Sequence, residues 1–297
     1  MRSHRAFPPG RGNLKIPTSS RRAARAGLAL YAPCRPTGRL ARWVAWRMVD
    51  LFGTMALPGN SVEWVPPMEG EVWRALASEW TRFAGPFDGV AVHERIQASR
   101  RGFAALLLSD GHPVGFAKVR DGDDTPLLNE FRALTSVSSA EPRTFEVPRP
   151  VADGNVEGWH YLLSTALRPD LHRMPDEPRL LEIVNEIQSG LAALPRPAEI
   201  PQHWEPMHGD FTPWNLRQQR NGNLFLIDWE DAGWAPPGAD QVYYRGAERV
   251  LGRDSVVPAY SESRNYWIQR LQERRISVLA AGDPDADFVS LLSQELG

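Results

Sequence analysis

The chain has 297 residues, 42% hydrophobic, 24% charged and 9% aromatic, which is enough apolar material for one or two domains with a sizeable core and too much for a disordered chain. Its one cysteine, Cys34, excludes an intrachain disulfide, and its longest uninterrupted apolar run, Phe103 to Leu108, is far below the roughly 20 residues of a membrane-spanning helix. The net charge of −2 hides a segregation: the 49 residues before Asp50 carry ten Arg, one Lys and no acid, and the remainder balances at −13.

Residues 1–24 are rich in Arg, Pro, Gly and Ser without periodicity and read as a flexible basic leader. A targeting segment, a membrane-surface anchor and a nucleic-acid tail share this composition. A solvated extension is the simplest reading, with a cytoplasmic location and no specific nucleic-acid partner expected. From Arg39 to Phe52 the apolar residues Leu40, Trp43, Val44, Met48 and Leu51 recur at helical spacing, with Arg39, Arg42 and Arg47 on the rest of the surface. Packing of this stripe onto the following domain is expected in preference to an anionic membrane.

Strands are expected at Val90–Arg95, Gly102–Ser109 and Gly115–Arg120, the last two joined through Asp110-Gly111-His112-Pro113, which carries a hairpin signal. Pro126–Val137 reads as a helix with Leu127, Leu128, Phe131 and Leu134 on one side, and Trp159–Ser164 as an apolar strand. Beyond Pro169 the pattern turns helical, at Pro178–Leu194 and at Tyr260–Leu279. No internal repeat is present.

The chemistry concentrates in His208-Gly209-Asp210-Phe211-Thr212-Pro213-Trp214-Asn215 and in Leu224-Phe225-Leu226-Ile227-Asp228-Trp229-Glu230. Between them stands Asn221-Gly222, a dipeptide suited to a two-residue type I′ hairpin turn. Such a turn puts Asn215 directly opposite Asp228, with Cα atoms about 4.5 to 5.5 Å apart. An amide oxygen and a carboxylate are hard donors that suit Mg²⁺ sharing its octahedron with water and phosphate. Asp210 enters the same end of the hairpin.

These spacings resemble the catalytic core of the aminoglycoside phosphotransferase and choline kinase group, relatives of the protein kinases, whose pattern is H-G-D-x-x-x-x-N followed by an Asp that ends an apolar strand. The resemblance covers roughly Val90 to Tyr244. It implies that Asp210 orients an acceptor hydroxyl and takes its proton, that Asn215 and Asp228 hold Mg²⁺ on nucleotide phosphates, and that His208 and Asp240 are structural. It also calls for a cation on the third strand. Lysine occurs twice in the chain against 32 arginines, and one of the two is Lys118; Glu130 on the following helix is its expected acidic partner.

The phosphate-covering loop departs from the pattern, because residues 95–102 hold a single glycine. Ser99 is the residue there expected to cover phosphates through the amides around it. Tyr161–Leu167 is the expected hinge, with backbone groups of Ser164 to Ala166 meeting the adenine edge. Trp214, Trp229 and Trp234 lie near the site in sequence, where core packing is the commoner role of such residues. Glu230, Asp231, Glu248, Asp254 and Glu262 favour a cationic acceptor unless they are merely exposed helix acids.

The resemblance implies an α+β, two-lobed protein-kinase-like fold with a small antiparallel-sheet N-lobe and a mainly helical C-lobe. The expected organisation is a leader at 1–24, a helical extension at 25–60, an N-lobe at 61–165 and a C-lobe at 166–297. The expected activity is Mg²⁺-dependent transfer of the γ-phosphoryl group of ATP to a hydroxyl of a small molecule, such as an aminoglycoside, an amino alcohol or a sugar-like acceptor. The alternative is a pseudokinase that binds a ligand or scaffolds without transfer.

Overall fold

The computed structural model describes residues 3–94, 102–280 and 286–297. Ser99, with Arg95 to Arg101, lies outside the described residues. The chain forms two compact units. The first comprises residues 1–96, 100–127 and 148–172, and the second residues 97–99, 128–147 and 173–297.

The first unit contains β1 (Ser3–Phe7), β2 (Leu14–Pro17), α1 (Arg21–Leu30), α2 (Pro36–Phe52), a 3₁₀ turn (Thr54–Ala56), β3 (Ser61–Glu63), α3 (Gly70–Ala84), β4 (Gly89–Glu94), β5 (Gly102–Ser109) and β6 (His112–Asp121). The start of α4 (Thr125–Ala140) and the pair β7 (Pro150–Val156) and β8 (Trp159–Ser164) complete it. Among the described residues the strands form one eight-stranded antiparallel sheet in the order β3-β1-β2-β4-β5-β6-β8-β7. The β5–β6 hairpin turns at Asp110-Gly111, both at positive φ, as the type I′ signal predicts.

One face of the sheet packs Val92, Phe103, Leu107, Val119 and Leu163 against Leu76 and Trp80 of α3. The other packs Ala91, Leu106, Leu108 and Phe116 against Ala23 and Ala26 of α1. Period-two alternation puts Lys118 on the second face, opposite Ala104 of β5 and Leu162 of β8.

Two expectations are corrected here. Within the expected leader, residues 3–24 hold two paired strands and the first turn of α1, with Phe7, Leu14 and Ile16 fully buried. The apolar material is sparse, but Leu14-Lys15-Ile16 alternates, and Ser20 caps α1 by accepting a hydrogen bond from the Ala23 amide at 3.0 Å. Alanines carry the buried face of α1, and they do not register as a hydrophobic stripe. Gly27 lets the helix lie close, since a Cβ there would stand 3.0 Å from Ile16 and 3.3 Å from Ala91. The α2 stripe is the second correction. Arg42, Ala45, Trp46 and Val49 face inward, the buried Arg42 donating to the carbonyls of Tyr31 and His172, while Leu40, Trp43, Val44, Met48 and Leu51 face solvent.

The second unit continues from α4 with α5 (Leu180–Leu191), β9 (Glu205–Met207), β10 (Leu216–Gln218), β11 (Leu224–Leu226), β12 (Gly233–Ala235), α6 (Ala239–Val250), α7 (Ser261–Ala280) and α8 (Ala286–Leu296). Met207, Val242, Tyr243, Trp267, Leu271 and Leu292 form the core shared by β9 and helices α6 to α8. No helix among the described residues is long and apolar enough to cross a membrane.

Gly27→Val should force α1 away from β2 and β4. The expected loss of about 1 to 3 kcal/mol, read as a lowered thermal midpoint, is typical of overpacking.

Candidate active site

Strand β9 pairs with β12 in the register Met207↔Gly233, which brings the segment after Met207 against the segment before Gly233. The loop after β9 is fixed by α6. Asp240, in the first turn of that helix and 2% exposed, accepts the amide of His208 at 2.8 Å and that of Gly209 at 3.3 Å. Gly209 has φ +85, and a Cβ there would run into the Asp231 carbonyl, so only glycine fits.

His208 is fully buried. Its Nδ1 accepts the Asp210 amide at 3.2 Å, which leaves Nε2 to donate to the Ile227 carbonyl at 3.1 Å. The ring is therefore neutral, in the Nε2–H tautomer, and it ties the loop to the end of β11. The structural roles expected of His208 and Asp240 agree with these contacts.

Asn215 is buried, and its Nδ2 donates to both the backbone carbonyl and Oδ2 of Asp210, each at 2.9 Å. The expected face-to-face pairing of Asn215 with Asp228 is not formed. The β10–β11 register is Leu216↔Leu226 and Gln218↔Leu224, and the Ile227 amide donates to the Asn215 carbonyl at 3.1 Å, so Asn215 faces Ile227. The cause is the turn. The Gln219 amide donates to the Asn223 carbonyl, leaving a three-residue loop, Arg220-Asn221-Gly222, with Gly222 at φ +94. Asn-Gly also suits a turn that ends in a left-handed glycine, and this form shifts the register by one residue.

Asp228 lies past the ladder, at φ 71, a conformation that Asp tolerates better than most residues. Its carboxylate gathers with those of Glu130 and Glu230, with one ligand oxygen from each lying within 4.8 Å of the others. Glu130 is 4% and Glu230 9% exposed. Asn129, beside Glu130 on α4, donates to the carbonyls of Glu230 at 2.9 Å and Ala232 at 2.8 Å and so holds this loop. Three converging carboxylates repel one another until a cation or protons neutralise them. Their hard oxygen donors fit Mg²⁺.

Asp210 is half-buried, with Asn215 and Tyr243 against its carboxyl. Burial first, then the charges of Asp228 and Asp231, push it up to about 8 against the opposing pull of Arg274 and Asn215. The Tyr243 hydroxyl, raised mainly by burial, hydrogen-bonds to Asp210 from one turn beyond Asp240 on α6. Arg270 and Arg274 stand one turn apart on α7, with Arg270 at 3.5 Å from Asp231. Sequence reasoning missed Asn129, Tyr243, Arg270 and Arg274. The i, i+3 spacing of Asp240 and Tyr243 is the one signal that was available.

Lys118 is half-buried on β6, in the first unit. Ser164 is buried at the end of β8, its hydroxyl donating to the Phe116 carbonyl at 3.4 Å, and the Ala166 side chain packs with the cluster under α1. Trp229 is core: fully buried, 4.4 Å from the His208 ring, its Nε1 donating to Leu226. Trp214 packs edge-on against Phe288, and Trp234 lies under Arg196. Glu248 is no exposed acid but a buried partner of Arg245, Arg253 and Ser255, and Glu262 bonds His203 and Trp204.

Residues 171–265, which include this whole loop system from His208 to Asp240, match the model of the phosphotransferase enzyme family. Among solved structures, APH(2")-IIia with GDP and kanamycin is 13% identical, with a TM-score of 0.50 over 74% of this chain and 98% of that one. The GDP complex of wild-type aminoglycoside 2'-phosphotransferase-IIIa is 14% identical, with a TM-score of 0.50 over 77% of this chain and 99% of that one. No curated protein matches the sequence. The fold is therefore the kinase-like α+β fold of the aminoglycoside phosphotransferases, and the resemblance drawn from the sequence motifs holds.

Because the folded Asp210 binds a proton more tightly than an unfolded aspartate, stability falls as pH rises from about 4 to 8. Asp210→Asn removes that loss, so the variant should melt a few degrees above the parent at pH 9 and near it at pH 4, as read by thermal unfolding. Asp240→Ala orphans two buried amides and should cost about 2 to 4 kcal/mol at any pH near neutral, measured by denaturant unfolding.

Proposed function

We propose that the protein is a Mg²⁺-dependent phosphotransferase that moves the γ-phosphoryl group of ATP to a hydroxyl of a small molecule. The observation that carries this reading is the Asp210 carboxyl, held by Asn215 and Tyr243 beside the Glu130, Asp228 and Glu230 cluster. Asp210 orients the acceptor hydroxyl and receives its proton. Asn215, with Nδ2 committed to Asp210, turns Oδ1 toward a cation, and Asp228 supplies the carboxylate ligand. When bound, Mg²⁺ neutralises charge on the phosphates and keeps them in line.

Lys118 grips the α and β phosphates, and Glu130 belongs to the acidic side of that arrangement. Ser99 covers the phosphates, and backbone groups of Ser164 to Ala166 meet the base. The acceptor is an aminoglycoside, an amino alcohol or a sugar-like molecule, and the reaction asks for alignment more than covalent help. Support comes from the family match over the catalytic segment and from the shared fold.

Nucleotide consumption measured over a panel of aminoglycosides, amino alcohols and sugars, with ATP and GTP each tried because both fold relatives were solved with GDP, tests the reading. Turnover should require Mg²⁺. Asp210→Asn should lower kcat by about 100- to 10,000-fold while Mg²⁺-dependent thermal stabilisation by nucleotide persists. Nucleotide binding without turnover on any acceptor would favour the pseudokinase. With the Asp210 carboxyl near 8 before a cation binds, the acidic limb of kcat/KM should lie above the ordinary carboxylate range and move down as Mg²⁺ is raised.

A further inference from the structure

We propose that the outer face of α2 is a docking surface for an anionic lipid bilayer. At about 100° per residue, Leu40, Trp43, Val44, Met48 and Leu51 fall on one side of the helix, with Arg47 in their midst. Arg42, Ala45, Trp46 and Val49 fall on the opposite side and are buried. The helix is thus anchored by one face and shows a second apolar face to water. Leu40 is 61% exposed, Trp43 52%, Leu51 61% and Phe52 65%, and Met55 in the following 3₁₀ turn is 81% exposed.

Exposed apolar side chains scattered singly are ordinary, whereas a continuous helical stripe is a contact surface. Charge decides which contact. No acid precedes Asp50, and Asp50 is occupied by Arg25 at 3.1 Å, with Arg21 donating to its carbonyl. Arg35 and Arg47 are exposed, and Arg39 is half-exposed. A second copy of this chain meeting the same face about a two-fold axis would bring Arg47 and Arg39 toward the same arginines with no carboxylate on the stripe to receive them. A bilayer of anionic lipids supplies acyl chains for the leucines, an interfacial zone suited to Trp43, and phosphates within reach of arginines whose stems lie along the apolar surface.

The test is flotation of the full chain with vesicles of phosphatidylcholine, alone and mixed with phosphatidylglycerol. The protein should float with the anionic vesicles, weakly or not at all with the neutral ones, and less as salt is raised. Trp43→Asp combined with Leu51→Asp should weaken anionic-vesicle binding by at least about tenfold, since two apolar anchors are lost. Both residues face solvent, so the thermal midpoint should stay unchanged; Arg39→Glu with Arg47→Glu provides a second pair that leaves the apolar stripe intact and should also abolish the preference for anionic vesicles. Absence of binding to anionic vesicles, or binding that neither pair weakens, overturns the proposal. So does a concentration-dependent dimer in light scattering that the Trp43 and Leu51 changes dissolve.

Discussion

Two backbone amides, those of His208 and Gly209, end on one buried carboxylate, Asp240, and the geometry of the candidate site follows from that convergence. The charge sits at the start of α6, where the helix dipole favours an anion, yet burial still raises its affinity for a proton to about 6. With the amides held there, Gly209 passes tightly under Asp231, and the neutral His208 ring spans from the Asp210 amide to the Ile227 carbonyl. The backbone of Asp210 is thereby fixed by the loop, and Asn215 holds its carboxylate through Nδ2. Tyr243, one helical turn after Asp240, then reaches its carboxyl from the same helix. One element thus sets both the path of the loop and the environment of the acid.

How much of this was legible in the sequence depends on whether local chemistry had a competitor. β5, β8 and the turn at Asp110-Gly111 agree with the sequence reading because short continuous apolar runs bounded by turn residues suit strands buried on both faces, and the glycine turn had no rival conformation. The β10–β11 register was not legible, since Asn221-Gly222 serves either a two-residue or a three-residue loop and nothing nearby arbitrates. That single-residue ambiguity moved Asp228 from a rung opposite Asn215 to a position past the ladder, where α4 supplies its neighbour Glu130. The basic start misled for a different reason. Arginines dominate its composition, but the buried groups are alanines, a glycine and a few alternating apolar residues, which carry little hydrophobic signal one by one. α2 was predicted as a helix, but periodicity reports that a stripe exists and not which side finds a neighbour.

The added strands change the physics of the first unit. β4 would be an edge without β2, and β2 and β1 cover it while α1 packs on the side of the sheet that carries Leu106, Leu108 and Phe116. The segment that looked detachable is part of the hydrophobic core, with Leu14, Ile16, Leu28 and Leu57 packed together. Its surplus of positive charge is carried outward.

Asp228 holds a backbone angle that most side chains resist. The position therefore has two separable demands, a short polar side chain to tolerate the left-handed turn and a negative charge to join its acidic neighbours. Asparagine meets the first demand and fails the second, glycine gives the backbone more than it needs, and glutamate keeps the charge while losing the conformational ease. Backbone geometry thus admits Asp, Asn or Gly at this corner, and among them only a bound cation would select the carboxylate.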